Sequence, residues 1–309
     1  MAKDNKTVFE IFVEGVGIYF RHLPTFLKYM SFPILGQFVG VILALGLPLW
    51  FASLIATTMA DPNTAYLITL SLCIPGLVIF TKAFWEYLVA YVSVNSMAEN
   101  TVKSGRIYDI NAHKKVATMS KRVGDFVLLW LLFGVFSLIG ILPPMWVFAI
   151  IIFVFIVLIF QVFTFEKNLT PWECFIRSKN LVKTNFWGTV GLMILVGGLT
   201  YILLPKIGEM LLEVFRINVL LNMILEPFLS NVLPFDQWNT ALSALNLAYM
   251  ITSLEVTKMI VSTIISTLII FYTLPLRSIC WTLWYKQLSI KEIKAKSKSK
   301  SKKAKSEDV

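Results

Sequence analysis

Charge is scarce in this chain of 309 residues. Only 15% of it is Asp, Glu, Lys or Arg, against about 25% in a soluble domain. Apolar residues reach 57%, more than one aqueous core can hide, which excludes an ordinary soluble globular protein. Cysteine is sparse too: Cys73, Cys174 and Cys280 stand far apart, without a Cys-x-x-Cys pair or a neighbouring His, and read as packing residues. The only histidines are His22 and His113, and neither lies inside an apolar run, which leaves no base for a nucleophile within a bilayer. Gly-rich phosphate loops, His-Glu-x-x-His and paired metal ligands are missing. Tyr108-Asp109 and Gly124-Asp125 look like fragments of an intramembrane aspartyl protease, but that chemistry needs two Asp facing each other in adjoining spans. Both fall in or beside a charged stretch, Arg122 stands where the second motif wants Gly, and helix capping is their ordinary explanation. No enzyme, cofactor or metal site is expected.

What is abundant is long apolar sequence. About 20 apolar residues cross the hydrocarbon as a helix, because only a helix satisfies its own backbone polar groups there. Six segments pass: Phe32 to Met59, Ala65 to Val94, Phe126 to Leu142, Trp146 to Phe165, Phe186 to Leu204 and Met259 to Trp281. The expected fold is all-α, a polytopic transmembrane bundle with interfacial amphipathic helices on the cytoplasmic face. Asp61-Pro62-Asn63 and Pro143-Pro144 turn the first two pairs into hairpins. The stretch from Pro205 to Lys258, apolar but set with Glu209, Glu213, Arg216 and Glu226, reads as outer-surface amphipathic helices or as an inserted hairpin that raises the count to eight spans. Thr7 to Arg21 mixes apolar residues with Glu10 and Glu14, so no signal peptide is expected.

Basic residues mark the cytoplasmic side of short loops. Of the 28, 24 fall before the first segment, between the second and third, between the fourth and fifth, or from Arg277 onward. Both termini are therefore expected in the cytoplasm, with the protein in the cell inner or plasma membrane.

Thr7-Val-Phe9-Glu10-Ile-Phe12-Val13 lines up with Thr170-Pro-Trp172-Glu173-Cys-Phe175-Ile176. Both begin as capping boxes, Thr-x-x-Glu, in which each side chain covers an open N–H at a helix start, and Pro171 suits a first helical position. A third candidate runs from Asp109 through His113 to Arg122. Each precedes a pair of apolar segments and combines apolar with basic residues, as a helix in the headgroup layer does. Three units of interfacial helix plus hairpin follow, at about 7–98, 109–165 and 170–285, within a membrane domain 1–285.

The run Glu166-x-x-Leu169-x-x-x-Glu173-Cys-Phe-Ile-Arg177-Ser178-x-x-Leu181-x-Lys183-x-Asn-Phe-Trp187, followed by a Gly-rich segment, resembles the signature of bacterial integral membrane proteins related to the membrane domain of glycerophosphoryl diester phosphodiesterases. The first amphipathic helix and Pro275-Leu-Arg277 to Tyr285 fit as well. The resemblance implies a six-helix module without catalytic residues of its own, since in those enzymes chemistry belongs to a barrel domain with a His-Arg-Gly start. Neither His22 nor His113 is followed by Arg-Gly.

Lys82 and Glu86, one turn apart within a span, can pair on one face. With Arg277 they form a candidate intramembrane polar site, because a charge in hydrocarbon is costly. Pro48, Pro75 and Pro275 are expected to kink their spans. Gly36, Gly40 and Ala44, and Ser262 with Ser266, present small residues one turn apart and suit close helix packing within the chain. Residues 286–309 read as a disordered Lys-rich tail. Its Lys294, Lys296, Lys298, Lys300, Lys302, Lys303 and Lys305 are the expected contact to anionic lipid. A cytosolic protein or the ribosome is the runner-up partner, and no specific nucleic acid is expected. The function expected is a non-enzymatic structural or envelope-associated membrane protein. A small-molecule or lipid transporter component is the alternative, and an insertase-like factor the weaker one.

Overall fold

The computed structural model describes residues 6–58, 61–107, 110–119, 122–141, 143–245 and 249–307, without the side chains of 53, 56, 110, 141, 295, 296 and 298–307. Among the described residues the chain is all-helical and contains no strand. Helices α1 (Val8–Arg21), α2 (Leu23–Thr58), α3 (Pro62–Ser104), α4 (Ile110–Thr118) and α5 (Val123–Leu138) come first. After two 3-10 turns follow α6 (Trp146–Ile156), α7 (Ile159–Phe165), α8 (Pro171–Lys183) and α9 (Phe186–Gly197). A π-helical segment, Gly198–Leu203, leads into α10 (Leu204–Val214), then α11 (Ile217–Val232), α12 (Phe235–Ala244), α13 (Ser253–Tyr272) and α14 (Leu274–Glu307).

Five stretches are long and apolar enough to cross a membrane: Leu23–Ala52, Pro62–Ser104, Pro143–Phe165, Phe186–Val214 and Ser253–Lys294. A sixth arises only if α11 and α12, bent by 69° at their junction, count as one broken span. The expected segment Phe126 to Leu142 is the one that falls short. Its α-helix, α5, has 16 residues and tightens into the 3-10 turn Ile139–Ile141 ahead of Pro143-Pro144, and prolines withdraw the amides a longer helix needs. Leu142 lies outside the described residues, as do Tyr108 and Asp109. The expected segment Met259 to Trp281 divides at Thr273 into α13 and α14. Pro275 sits in the first turn of α14, just past that interruption, where its missing N–H costs nothing.

Local chemistry explains the helix starts. Glu10 and Thr7 cap α1 reciprocally, with Thr7 N–H donating to Glu10 Oε2 at 2.7 Å and Glu10 N–H to Thr7 Oγ1 at 3.2 Å. Thr170 and Glu173 repeat the box on α8. Asp61 caps α3: the Thr64 hydroxyl and the backbone N–H groups of Thr64 and Asn63 all donate to it, which holds its carboxyl below its ordinary range. The break between α6 and α7 is filled by Ser178. Its hydroxyl donates to Phe155 O at 2.7 Å and accepts from Leu158 N at 3.3 Å, satisfying backbone groups that the interruption frees.

The chain forms two compact units, 1–196 with 274–309, and 197–273. Helices α8 and α14 and α9 up to Val196 belong to the first unit, and the chain between α9 and α14 forms the second. In the first, α2 and α3 lie against each other with Gly36 and Gly40 at the seam: a Cβ at Gly36 would sit 2.7 Å from Ala83 Cβ, and one at Gly40 2.6 Å from Phe80 N. Ala44 approaches Gly76 in the same way. Fully buried residues such as Met97, Phe126, Phe163 and Trp284 make the core of this unit. In the second unit α10 and α11 both pack on α13, and Gly208 clears a place for Ile269.

The tail departs from expectation. Helix α14 continues through Lys286 to Glu307. Gln287 and Leu288 are buried, and Lys286 and Glu292 are engaged in ion pairs, so the segment up to Glu292 belongs to the first unit. The physical reason is that the buried face of Trp284 and Tyr285 continues one turn further to Leu288, while Ile290 and Ile293 stay exposed. The side chains of Lys296, Lys298, Lys300, Lys302, Lys303 and Lys305 lie outside the described residues.

Candidate functional site

In the first unit, the basic residues fall into two classes. One class is neutralised by partners. Arg177 donates through Nε to Glu166 at 2.9 Å and 3.1 Å, and pairs through a second nitrogen with Glu292 at 2.7 Å. Tyr285 donates its hydroxyl to the same Glu166 at 2.8 Å. Burial alone would lower the Arg177 pKa, but the hydrogen bonds and charges of Glu166 and Glu292 outweigh it and the net direction is upward. Glu99 holds both Lys103, at 2.9 Å, and Lys286, at 3.2 Å. Lys6 pairs with Glu14, and Gln287 donates to Lys6 O at 2.7 Å, tying the start of α1 to α14. Arg122 donates to Phe163 O at 2.6 Å and stacks on the Phe163 ring.

The other class is uncommitted. Arg21, Lys28, Lys115, Lys167, Lys179 and Lys183 are exposed and form no ion pair among the described residues. They stand beside exposed apolar side chains. On α1, Ile11, Gly15 and Tyr19 are buried along one face, with Gly15 pressed against Cys280, while Phe9, Val13 and Phe20 are exposed on another. Helix α8 has the same two faces: Cys174, Phe175, Ser178 and Leu181 are buried, and Trp172 and Ile176 are open. Trp187, one turn after Lys183, is 81% exposed. A helix with a second apolar face left uncovered by protein, edged by unpaired cations, suits the boundary between headgroups and acyl chains.

The sequence-predicted intramembrane site is taken apart by the fold. Lys82 and Glu86 do not pair: Lys114 of α4 reaches Glu86 Oε2 at 2.6 Å, and Lys82 is exposed with its ammonium 5.7 Å from the Phe32 ring centroid. The helical register allowed a Lys82–Glu86 pair, and a lysine from another element took the carboxylate. Arg277 is buried and lies close enough to Tyr19 for its charge to act on the phenol, whose pKa burial pushes up to about 12. A deeper polar cluster went unnoticed in the sequence. Asn95 donates to Thr164 Oγ1 at 3.3 Å and accepts from Gln161 Nε2 at 3.1 Å, with Thr282 at 3.5 Å, so one amide links α3, α7 and α14. Nothing in its local sequence marks Asn95, because its partners are 66 to 187 residues away. Cys174 is buried and its thiol is pushed up to about 12 by that burial, in keeping with a packing residue.

No family model, characterised protein or solved structure matches this chain. Among the described residues, no group of three or more His, Cys, Asp or Glu side chains is arranged to hold a metal ion.

The second unit carries a separate polar arrangement. Ser262 and Ser266, spaced for helix packing, both donate to Glu209 Oε1, at 2.5 Å and 2.9 Å, while Lys206 reaches Glu209 Oε2 at 3.2 Å. Beside them lies a cavity of about 320 Å³ lined by Glu209, Glu213, Asn218, Asn222, Lys258 and Ser262, with Leu212, Val261 and Ile265 as its apolar wall. Helix α13 itself starts with a third capping box, Thr252 with Glu255. Thr-x-x-Glu is as legible there as at Thr7 and Thr170.

Proposed function

We propose that this chain is a non-enzymatic, multi-pass protein of the cytoplasmic membrane, with six spans and both termini in the cytoplasm. Its basic face holds anionic lipid through Arg21 of α1, Lys28 of α2 and Lys179 and Lys183 of α8, and the Lys-rich end of α14 adds to the same attraction. One observation carries the reading: α1 and α8 each present an open apolar face edged by unpaired cations, after the remaining cations of that region have been used for internal ion pairs. The resemblance of Glu166 to Trp187 to the phosphodiesterase membrane domain agrees with it, since Glu166, Arg177 and Ser178 spend their polar groups inside the protein. The full chain in nanodiscs of mixed phosphatidylglycerol and phosphatidylcholine tests the proposal. Retained anionic lipid should be enriched, and Lys28→Gln, Lys179→Gln and Lys183→Gln combined should cut that enrichment, each lysine contributing about 1 kcal/mol near an anionic surface. Equal retention of both lipids by the native chain refutes the reading. Reporter fusions at the two ends test the topology.

A second reading, a transporter component for a small molecule or lipid, is favoured by the charged cavity of the second unit. Flux of solute or lipid in reconstituted vesicles decides it.

A further inference from the structure

The second unit holds only three basic residues, Lys206, Arg216 and Lys258. Lys206 is bound to Glu209, whereas Lys258 lines the cavity and makes no ion pair among the described residues. Glu213 lines the same cavity, and its carboxylate likewise makes no hydrogen bond or ion pair among the described residues. Charges of opposite sign thus face one space and do not neutralise each other across it. A third group points to the same vacancy of partners: the side-chain oxygen of Asn222 is buried, lines the cavity and receives no hydrogen bond. A buried acceptor left without a donor costs about 1–3 kcal/mol, so a donor-bearing ligand that satisfies it is favoured. The volume, about 320 Å³, lies at the small end of the roughly 300–1,000 Å³ typical of small-molecule sites. The position of Glu209 is fixed by two serines on α13, so the acidic wall is held before any ligand arrives.

We infer that this cavity binds a zwitterion carrying an ammonium and a phosphate: the ammonium is received by Glu213, Glu209 and the Asn222 oxygen, and the phosphate by Lys258, with Leu212, Val261 and Ile265 against the hydrocarbon part. Two sources share that chemistry, the headgroup of phosphatidylethanolamine and free phosphoethanolamine. The inference rests on the second unit alone and is independent of lipid binding by the basic face.

Native mass spectrometry of the full chain in maltoside micelles provides the test, with dihexanoyl phosphatidylethanolamine, phosphoethanolamine and dihexanoyl phosphatidylglycerol as probes. An ammonium-bearing probe should bind at one saturable site, with phosphatidylglycerol weaker by roughly tenfold, as expected from the loss of one charge-assisted hydrogen bond. Lys258→Gln and Glu213→Gln should each weaken binding by a similar factor. Both side chains lack structural partners, so the fold is retained, and either variant carries the test if the other fails to fold. Binding of the short-chain lipid without phosphoethanolamine assigns the lipid source, and comparable binding of both assigns a soluble zwitterion; each supports the site. Phosphatidylglycerol binding as tightly as phosphatidylethanolamine, or affinity unchanged in a folded Lys258→Gln or Glu213→Gln variant, overturns it.

Discussion

The two units solve the same problem, long apolar helices with few charges, in different ways. In the first, buried side chains come from α1, α2, α3, α5, α7, α8 and α14, and polar groups are closed off in pairs and networks: Arg177 with Glu166 and Glu292, Asn95 with Gln161, Thr164 and Thr282, Trp284 Nε1 with Thr189. In the second, α11 and α12 bury no residue, and Phe215 and Met223 remain about 70% exposed. Its polar groups converge on a cavity in which Glu213, Lys258 and Asn222 stay uncommitted. Closed networks specify a single packing and resist change. An open one leaves interaction energy for something outside the chain.

The widest gap between the units should appear on removing Arg177. Arg177→Met removes the cation that Glu166 and Glu292 share, and breaking a buried ion pair costs about 3–5 kcal/mol, reduced here to roughly 2–3 kcal/mol because Glu166 keeps the Tyr285 hydroxyl and about a quarter of each side chain still meets solvent. Thermal unfolding in detergent should drop accordingly, while Lys258→Gln in the second unit leaves it unchanged. Equal effects would erase the distinction.

A smaller contrast uses one replacement at two sites. Gly40→Ala places a methyl 2.6 Å from the backbone of Phe80 and forces α2 from α3, an overpacking of roughly 1–3 kcal/mol. At Gly198 a Cβ meets nothing within 4 Å, so Gly198→Ala should stabilise by about 0.5–1 kcal/mol through helix propensity. Denaturant midpoints of the two variants should move in opposite directions, and a shared direction would show that the seam in the first unit has slack.

The least effect concerns acid. Accepting from the backbone and hydroxyl of Thr170 holds Glu173 below its ordinary range. A carboxylate depressed in the folded state contributes stability above its unfolded pKa, about 4.3, and loses it as the pH falls through the lower folded value. Glu173→Gln should flatten that slight acid dependence of melting, and an unaltered slope would assign the dependence elsewhere.

Much of the helical framework was legible because it depends on neighbours in sequence. Thr7 and Glu10, and Thr170 and Glu173, meet within one turn, so the caps of α1 and α8 could be read directly, and the same rule applies at Thr252 and Glu255. Lys82 and Glu86 show the limit. Their spacing permitted a pair, but Lys114, 28 residues away, holds Glu86. Ser262 and Ser266 read as a small-residue stripe, and only Glu209, more than 50 residues earlier, turns them into hydrogen-bond donors. At the start of residues 286–309 a lysine-rich composition conceals the buried face that Gln287 and Leu288 give to α14.

The sequence by itself determined that the chain is helical, apolar beyond what water tolerates, and capped at particular residues, since hydrophobic periodicity and backbone capping act over a few positions. Only the tertiary structure decided which cations are spent on internal partners and which remain free, and which polar groups enclose a cavity. Coulomb and hydrogen-bond energies fall steeply with distance, and the partners lie tens to hundreds of residues apart along the chain.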